Sequence, residues 1–150
     1  METATLQNQD REVEALKRGE FVFRGTRLCL KRDIGVHGNM FGGELLSIID
    51  ETAAAFACEI CDTPHVVTRM MEKVEFCTPV KEGNMIKIYG GIIKIGNSSI
   101  TLKIELRRYN VYTEQEKVAC STSIVFVRID EDGNPIPISD RIREKFGFKK

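Results

Sequence analysis

The chain has 150 residues, 42% hydrophobic and 29% charged, the balance of one globular domain large enough for a full hydrophobic core. Lys plus Arg equals Asp plus Glu at 22 each, so no one-signed field points to a nucleic acid or a membrane surface as partner. No apolar run approaches the roughly 20 residues of a membrane-spanning helix.

The first residues, Met1-Glu-Thr-Ala-Thr-Leu-Gln, have neither the basic nor the apolar segment of a secretory leader, which makes the cytosol the expected location. Residues 1–20 are polar, with a short helix expected over 10–18. Residues 21–31 read as a first strand, weakened by Gly25. A glycine-rich turn follows, His37-Gly-Asn-Met-Phe-Gly-Gly43, and opens into a strongly apolar helix expected over 43–61. Asp62-Thr-Pro64 ends that helix, because Pro64 biases its predecessor away from helical angles.

From Val66 the period changes to two. Val66, Thr68, Met70, Glu72, Val74 and Phe76 alternate with their neighbours, and Ile100, Leu102, Ile104 and Leu106 do so cleanly, as half-buried strands require. Residues 85–95 form a further strand in which Gly90-Gly91 suggests a bulge or bend. Residues 118–129, apolar on both faces toward their end, suit a central strand. The separators 79–83, 96–97 and 110–116 have lengths suited to antiparallel hairpins. Asp130-Glu-Asp-Gly133 ends the last strand, and a polar tail carries a short helix near 139–146. One strand, one apolar helix and four antiparallel strands predict a single α+β domain over residues 1–150, its core over about 21–138. A helix this apolar must be enclosed by the sheet.

Five cysteines, Cys29, Cys58, Cys61, Cys77 and Cys120, are odd in number and widely spaced. Cys58 and Cys61 form a lone C-x-x-C without a second pair, which argues against zinc or redox chemistry. All five are expected to be reduced structural thiols, and no metal site is expected.

On a helical wheel Glu44, Ser47, Glu51 and Cys58 form a polar stripe, and Leu45, Leu46, Ile49, Ala53, Phe56 and Ala57 the core face. Asp50 falls off the polar stripe, beside Leu46, Ala54 and Ala57, where desolvation costs stability unless the acid is hydrogen-bonded. Such an Asp caps a loop, meets a symmetry mate, or does chemistry. Gly42 and Gly43 place backbone N–H groups at the helix N-terminus, where the dipole is positive and an oxyanion is stabilised. On one helix the eight residues from Gly42 to Asp50 span about 12 Å. Both can serve one carbonyl only if two antiparallel helices from two subunits contribute, which predicts a homodimer.

These residues are recognisable. Gly38-Asn-Met-Phe-Gly-Gly-Glu-Leu-Leu-Ser-Ile-Ile-Asp50-Glu, Val66-Val-Thr68, Val74-Glu-Phe76-Cys-Thr-Pro79-Val-Lys-Glu-Gly83, Ile95-Gly96-Asn-Ser98-Ser99 and Asp130-Glu-Asp-Gly-Asn-Pro135 resemble the hotdog-fold acyl-CoA thioesterases. The resemblance is to the acyl-CoA hydrolase branch, with its bacterial broad-range short- and medium-chain members, and covers about residues 26–138. It implies an antiparallel sheet of about five strands around one long helix. It implies hydrolysis of acyl-CoA, with Asp50 as general base or nucleophile and the Gly42 amide, with Gly43, polarising the thioester. It also implies subunits paired edge to edge, in dimers that assemble into tetramers or hexamers.

Coenzyme A enters as part of the substrate, with no other cofactor, in a cleft between subunits. The implied substrate contacts are Asn39, Phe41, Thr68, Arg69, Met70, Gly96, Asn97, Ser98 and Ser99. This chain departs from the family pattern at two places: Gly35 replaces the usual Asn seven residues before the first motif glycine, and Asn97 replaces the usual Arg. Asn39 or His37 is then left to take the polar role of that Asn, His37 also being a candidate general acid, or Asp50 works without it. Arg69 and Lys81 are either contacts to the acidic nucleotide or a solvated strand edge. Two rival readings are a hotdog hydratase or dehydratase acting on acyl thioesters and a non-catalytic acyl-CoA binding module.

Overall fold

A computed structural model describes residues 2–148. Its elements in chain order are helix α1 (Glu2–Lys17), strand β1 (Val22–Leu28), a single 3-10 turn (Lys31–Asp33), helix α2 (Gly42–Cys61), strands β2 (Val66–Phe76), β3 (Met85–Ile95), β4 (Ser99–Tyr109) and β5 (Glu116–Arg128), and helix α3 (Asp140–Phe146). The strands form one antiparallel sheet in the order β1-β3-β4-β5-β2. Ile86, Ile88 and Ile92 of β3, the even-numbered residues 100–106 of β4, and Ile124 and Phe126 of β5 are buried with Leu45, Ile49, Ala53, Phe56, Ala57 and Ile60 of α2. This is the expected α+β architecture, a sheet curled on one long helix.

Several local expectations are corrected. The first helix begins at Glu2 rather than near residue 10, and Leu16 anchors it in the core. On α2, Ile48 is buried and Leu46 only half-buried, so the buried face is turned slightly from the ideal wheel. The sheet does not enclose α2 completely, since Ser47, Glu51, Ala55 and Glu59 remain exposed in the single chain. Gly90-Gly91 is no bulge: Gly90 pairs regularly with Ile104 and Gly91 with Lys103, and the irregularity falls between Ile92 and Lys94. What Gly90 provides is close approach, because a Cβ there would meet the Phe56 ring at 3.0 Å.

The segment 77–84 is not a hairpin. β2 lies on the far edge, paired with β5, three places from β3. Crossing three strand spacings takes about 14 Å, well within the reach of about 26 Å that an extended chain of that length has. The simple alternation expected of β2 is also broken. Its register shifts between Thr68 and Met70 and again between Glu72 and Glu75, and Lys73 adopts φ +53°. The half-buried side chains are therefore Val66, Met71 and Val74. The tail is less polar than expected, since Ile138, Ile142 and Phe146 are buried. Of the cysteines, Cys77 is exposed, Cys58 half-buried and the other three buried. Burial pushes the Cys61 and Cys120 thiols up to about 11, which keeps both protonated and poorly nucleophilic.

The approach to α2 is tied down by a buried acid. Asp33 is 2% exposed. Its carboxylate accepts bonds from Arg27 Nη1 and Nη2 at 2.9 and 3.1 Å and from the Leu30 N–H at 2.9 Å. Its carbonyl accepts the Phe41 N–H at 3.0 Å, one residue before α2. The hydrogen-bonded Arg27 holds the Asp33 carboxyl below its ordinary range, and the Leu30 N–H adds to this against the opposing effect of burial. A depressed folded-state value means that the stabilisation is complete above the unfolded carboxylate pKa of about 3.9 and is lost as pH falls through the folded value. Asp33→Asn is expected to cost about 2 kcal/mol at neutral pH, the scale of hydrogen bonds to a charged group. The difference from wild type should shrink below about pH 4. Urea unfolding at pH 7 and pH 3 checks this, and an equal gap at both pH values would refute it.

Candidate active site

The loop before α2 is closed on itself. Gly35 N–H donates to Asn39 O (2.9 Å) and Gly38 N–H to Gly35 O (3.0 Å), Ile34 bridges Met40, and Gly38 takes the φ of +81° that this reversal needs. Met40 N–H then donates to Val80 O at 2.7 Å, which docks the loop on the crossover segment. Phe41 caps the helix in extended geometry (φ −61°, ψ 139°) without a side-chain bond to its amides. Phe41 O accepts the Glu44 and Leu45 N–H groups at 3.1 and 3.2 Å. Among the described residues no carbonyl outside the helix takes the Gly42 or Gly43 amide, as is usual for the first donors of a helix.

Gly42, but not Gly43, lines a cleft of about 530 Å³. His37, Asn39, Met40, Gly42, Leu45 and residues 76–80 line it. A Cβ on Gly42 would stand 3.1 Å from the Phe76 ring, so glycine keeps the helix end accessible from the cleft. Asn39 is half-buried, and its Oδ1 accepts Lys81 Nζ at 3.3 Å. His37 Nδ1 accepts the Asn39 N–H at 3.1 Å, and its ring stands edge-on to the half-exposed Phe41 ring, centroids 5.7 Å apart.

Asp50 is elsewhere. It is half-buried, where sequence reasoning placed it off the solvated face, and Thr68 Oγ1 of the edge strand donates to its Oδ1 at 2.7 Å. Two of the expected site residues thus meet, Asp50 and Thr68. His37, Asn39 and Gly42 meet in the cleft, and Asp50 does not line it. The helix places about 12 Å between the two groups. Arg69 and Met70 lie exposed on β2 next to Thr68.

Gly96, Asn97, Ser98 and Ser99 form the β3–β4 turn, where a Cβ on Gly96 would stand 2.6 Å from Ser99 Oγ. Buried Arg143 of α3 holds this turn, donating to Ile95 O and Asn97 O, each at 3.1 Å, and also to Gly96 O. Sequence reasoning missed Arg143, Asp33 and the wall formed by 76–80. The Thr78-Pro79 pair, which interrupts strand periodicity, was the available signal for that wall.

A five-stranded antiparallel sheet in this order, curled on one long helix, is the hotdog architecture. The family model of the thioesterase superfamily matches residues 37–115, and the chain belongs to that family. It is 34% identical over 123 residues to the acyl-CoA thioester hydrolase YciA of Salmonella typhimurium, covering 80% of this chain and 90% of that one. Among solved structures it is similar to an Asp-to-Ala mutant of HI0827, described as a hexameric broad specificity acyl-coenzyme A thioesterase. That similarity has a TM-score of 0.77 and 27% identity over 84% of this chain and 92% of that chain. It is also similar to an acyl-CoA hydrolase from Staphylococcus aureus in complex with butyryl coenzyme A, coenzyme A and coenzyme A disulfide (TM-score 0.74, 25% identity, 87% of this chain and 82% of that chain).

Proposed function

We propose that this chain hydrolyses acyl-CoA thioesters to the free acid and coenzyme A, at sites each shared by two subunits. The observation that carries the reading is the separation of two half-sites. An amide-lined cleft opens at the start of α2, and the Asp50–Thr68 pair lies two turns along the same helix. Neither half is sufficient alone. A second copy brought antiparallel would set its Asp50 against this chain's Gly42. The outer edge of β2 is unpaired in the single chain and carries exposed Val67, Met70 and Phe76, the features of a strand awaiting a partner. Self-association in the solved relative described as hexameric supports this.

In this reading the thioester carbonyl lies at the helix N-terminus. The Gly42 N–H, with Gly43, donates to the carbonyl oxygen and stabilises the negative charge that develops there. Asp50, oriented by Thr68, takes a proton from water as the water oxygen bonds to the carbonyl carbon. The tetrahedral adduct collapses, the C–S bond breaks, and the sulfur leaves as thiolate and takes up the proton that Asp50 had accepted, which restores the carboxylate. Direct attack by Asp50 would pass instead through an anhydride that water then opens. No metal or redox cofactor enters either route. Asn39, Phe41, Thr68, Arg69, Met70 and the Gly96–Ser99 turn are the proposed substrate contacts.

Thiol release from short, medium, long and aromatic acyl-CoAs tests the activity. Turnover of at least one class is expected. Hydration of an enoyl-CoA without thiol release would favour a hydratase, and tight coenzyme A binding without any turnover would favour a binding module.

A further inference from the structure

His37 is exposed, yet its ring is held from several sides. Its Nδ1 accepts the Asn39 N–H at 3.1 Å. An acceptor nitrogen carries no proton, so in this tautomer the proton is on Nε2, which is a donor. Among the described residues no side chain or carbonyl takes that donor. The ring is fixed on two further sides. Phe41 stands edge-on to it at 80°, and Gly35 lies beneath. A Cβ on residue 35 would stand 2.8 Å from His37 Nε2 and 2.7 Å from Phe41 Cε1. These distances leave no room for any side chain at 35 while the rings keep their places. The loop carrying His37 is itself closed by its own backbone bonds and by the Ile34–Met40 bridge. His37 shares the lining of the cleft with Gly42.

Resting on the hydrolase reading above, we propose that His37 is a second hydrogen-bond donor to the thioester. Its Nε2–H bonds the carbonyl oxygen beside the Gly42 amide, and Gly35 is glycine so that the imidazole can lie there. The role is that of a neutral donor aimed at developing charge, whose benefit appears in the transition state more than in substrate binding.

The test uses the full chain and one acyl-CoA on which wild type is active. His37→Phe keeps an edge-on ring and deletes the donor. It is expected to lower kcat about 10- to 100-fold while KM changes less than about threefold. His37→Gln offers an N–H from a flexible chain and should recover most of that loss. Gly35→Ala should lower kcat toward the His37→Phe value by displacing the imidazole. Full kcat in His37→Phe would overturn the proposal. His37→Gln no better than His37→Phe would overturn the donor role, and full kcat in Gly35→Ala the steric one. Asp50→Asn in the same assay separates the two levels of argument. If wild type itself turns over no acyl-CoA, the hydrolase reading has failed; if Asp50→Asn stays active, the role of Asp50 has failed; if it is inactive and His37→Phe is not impaired, only the role of His37 has failed.

Discussion

Asp50→Asn is expected to lower kcat on acyl-CoA substrates by about 10²- to 10⁴-fold, the usual contribution of a positioned general base, with the fold intact. The substitution is isosteric, and the Asn Oδ1 can still accept the Thr68 hydroxyl that now stands 2.7 Å from Asp50. Asp50 is half-buried and has no ion-pair partner among the described residues. Loss of its charge therefore strands no buried cation, and the melting temperature should stay within a few degrees of wild type. What is lost is the capacity to take a proton or to attack. Circular dichroism melting and steady-state kinetics on the same preparation decide the matter. Wild-type turnover in a folded Asp50→Asn protein would end the assignment of Asp50.

The second large effect is expected at Gly42, where removal of one N–H is chemically clean. Gly42 is the first residue of α2, the helical position that proline fills best. Phe41 before it already has the extended angles that a residue preceding proline must adopt. Gly42→Pro thus deletes the amide without breaking the helix. The ring must push against Phe76, which stands 3.1 Å from a Cβ at this site, but Phe76 is 55% exposed and can yield. Loss of this oxyanion donor is expected to lower kcat about 10²- to 10³-fold with little change in stability.

The pair of variants also tests the two-chain site. Co-expressed Asp50→Asn and Gly42→Pro chains would form mixed dimers with one site carrying both defects and one carrying neither. Random pairing predicts recovery to about a quarter of wild-type activity. Absence of any recovery from verified mixed dimers would show that one chain holds the whole site.

Much of this molecule was legible in its sequence, for reasons that differ by element. β4 was read correctly because residues 100–106 alternate between the core and the opposite face of a central strand, and period two is a local property. The span of α2 was read to within a residue because Gly42-Gly43 and Pro64 bracket it. In β2 the strand was legible but its strict alternation was not kept, since two register shifts interrupt its pairing with β5. Strand order was out of reach. Residues 77–84 have the length of a hairpin and serve as a crossover, because β3 pairs with β1 on one side and β4 on the other.

The site divides along the same line. The sequence by itself supplied the candidate parts, Gly42 at a helix start and Asp50 eight residues on, and with them the inference that one helix cannot bring both to one carbonyl. That followed from helical rise alone. Only the tertiary structure decided their company. It set Thr68 on Asp50 across 18 positions of sequence, folded residues 76–80 over Gly42 to make the cleft, and laid the His37 ring on Gly35. Contacts of this kind depend on where separate segments come to rest against a common core, and no local pattern encodes that.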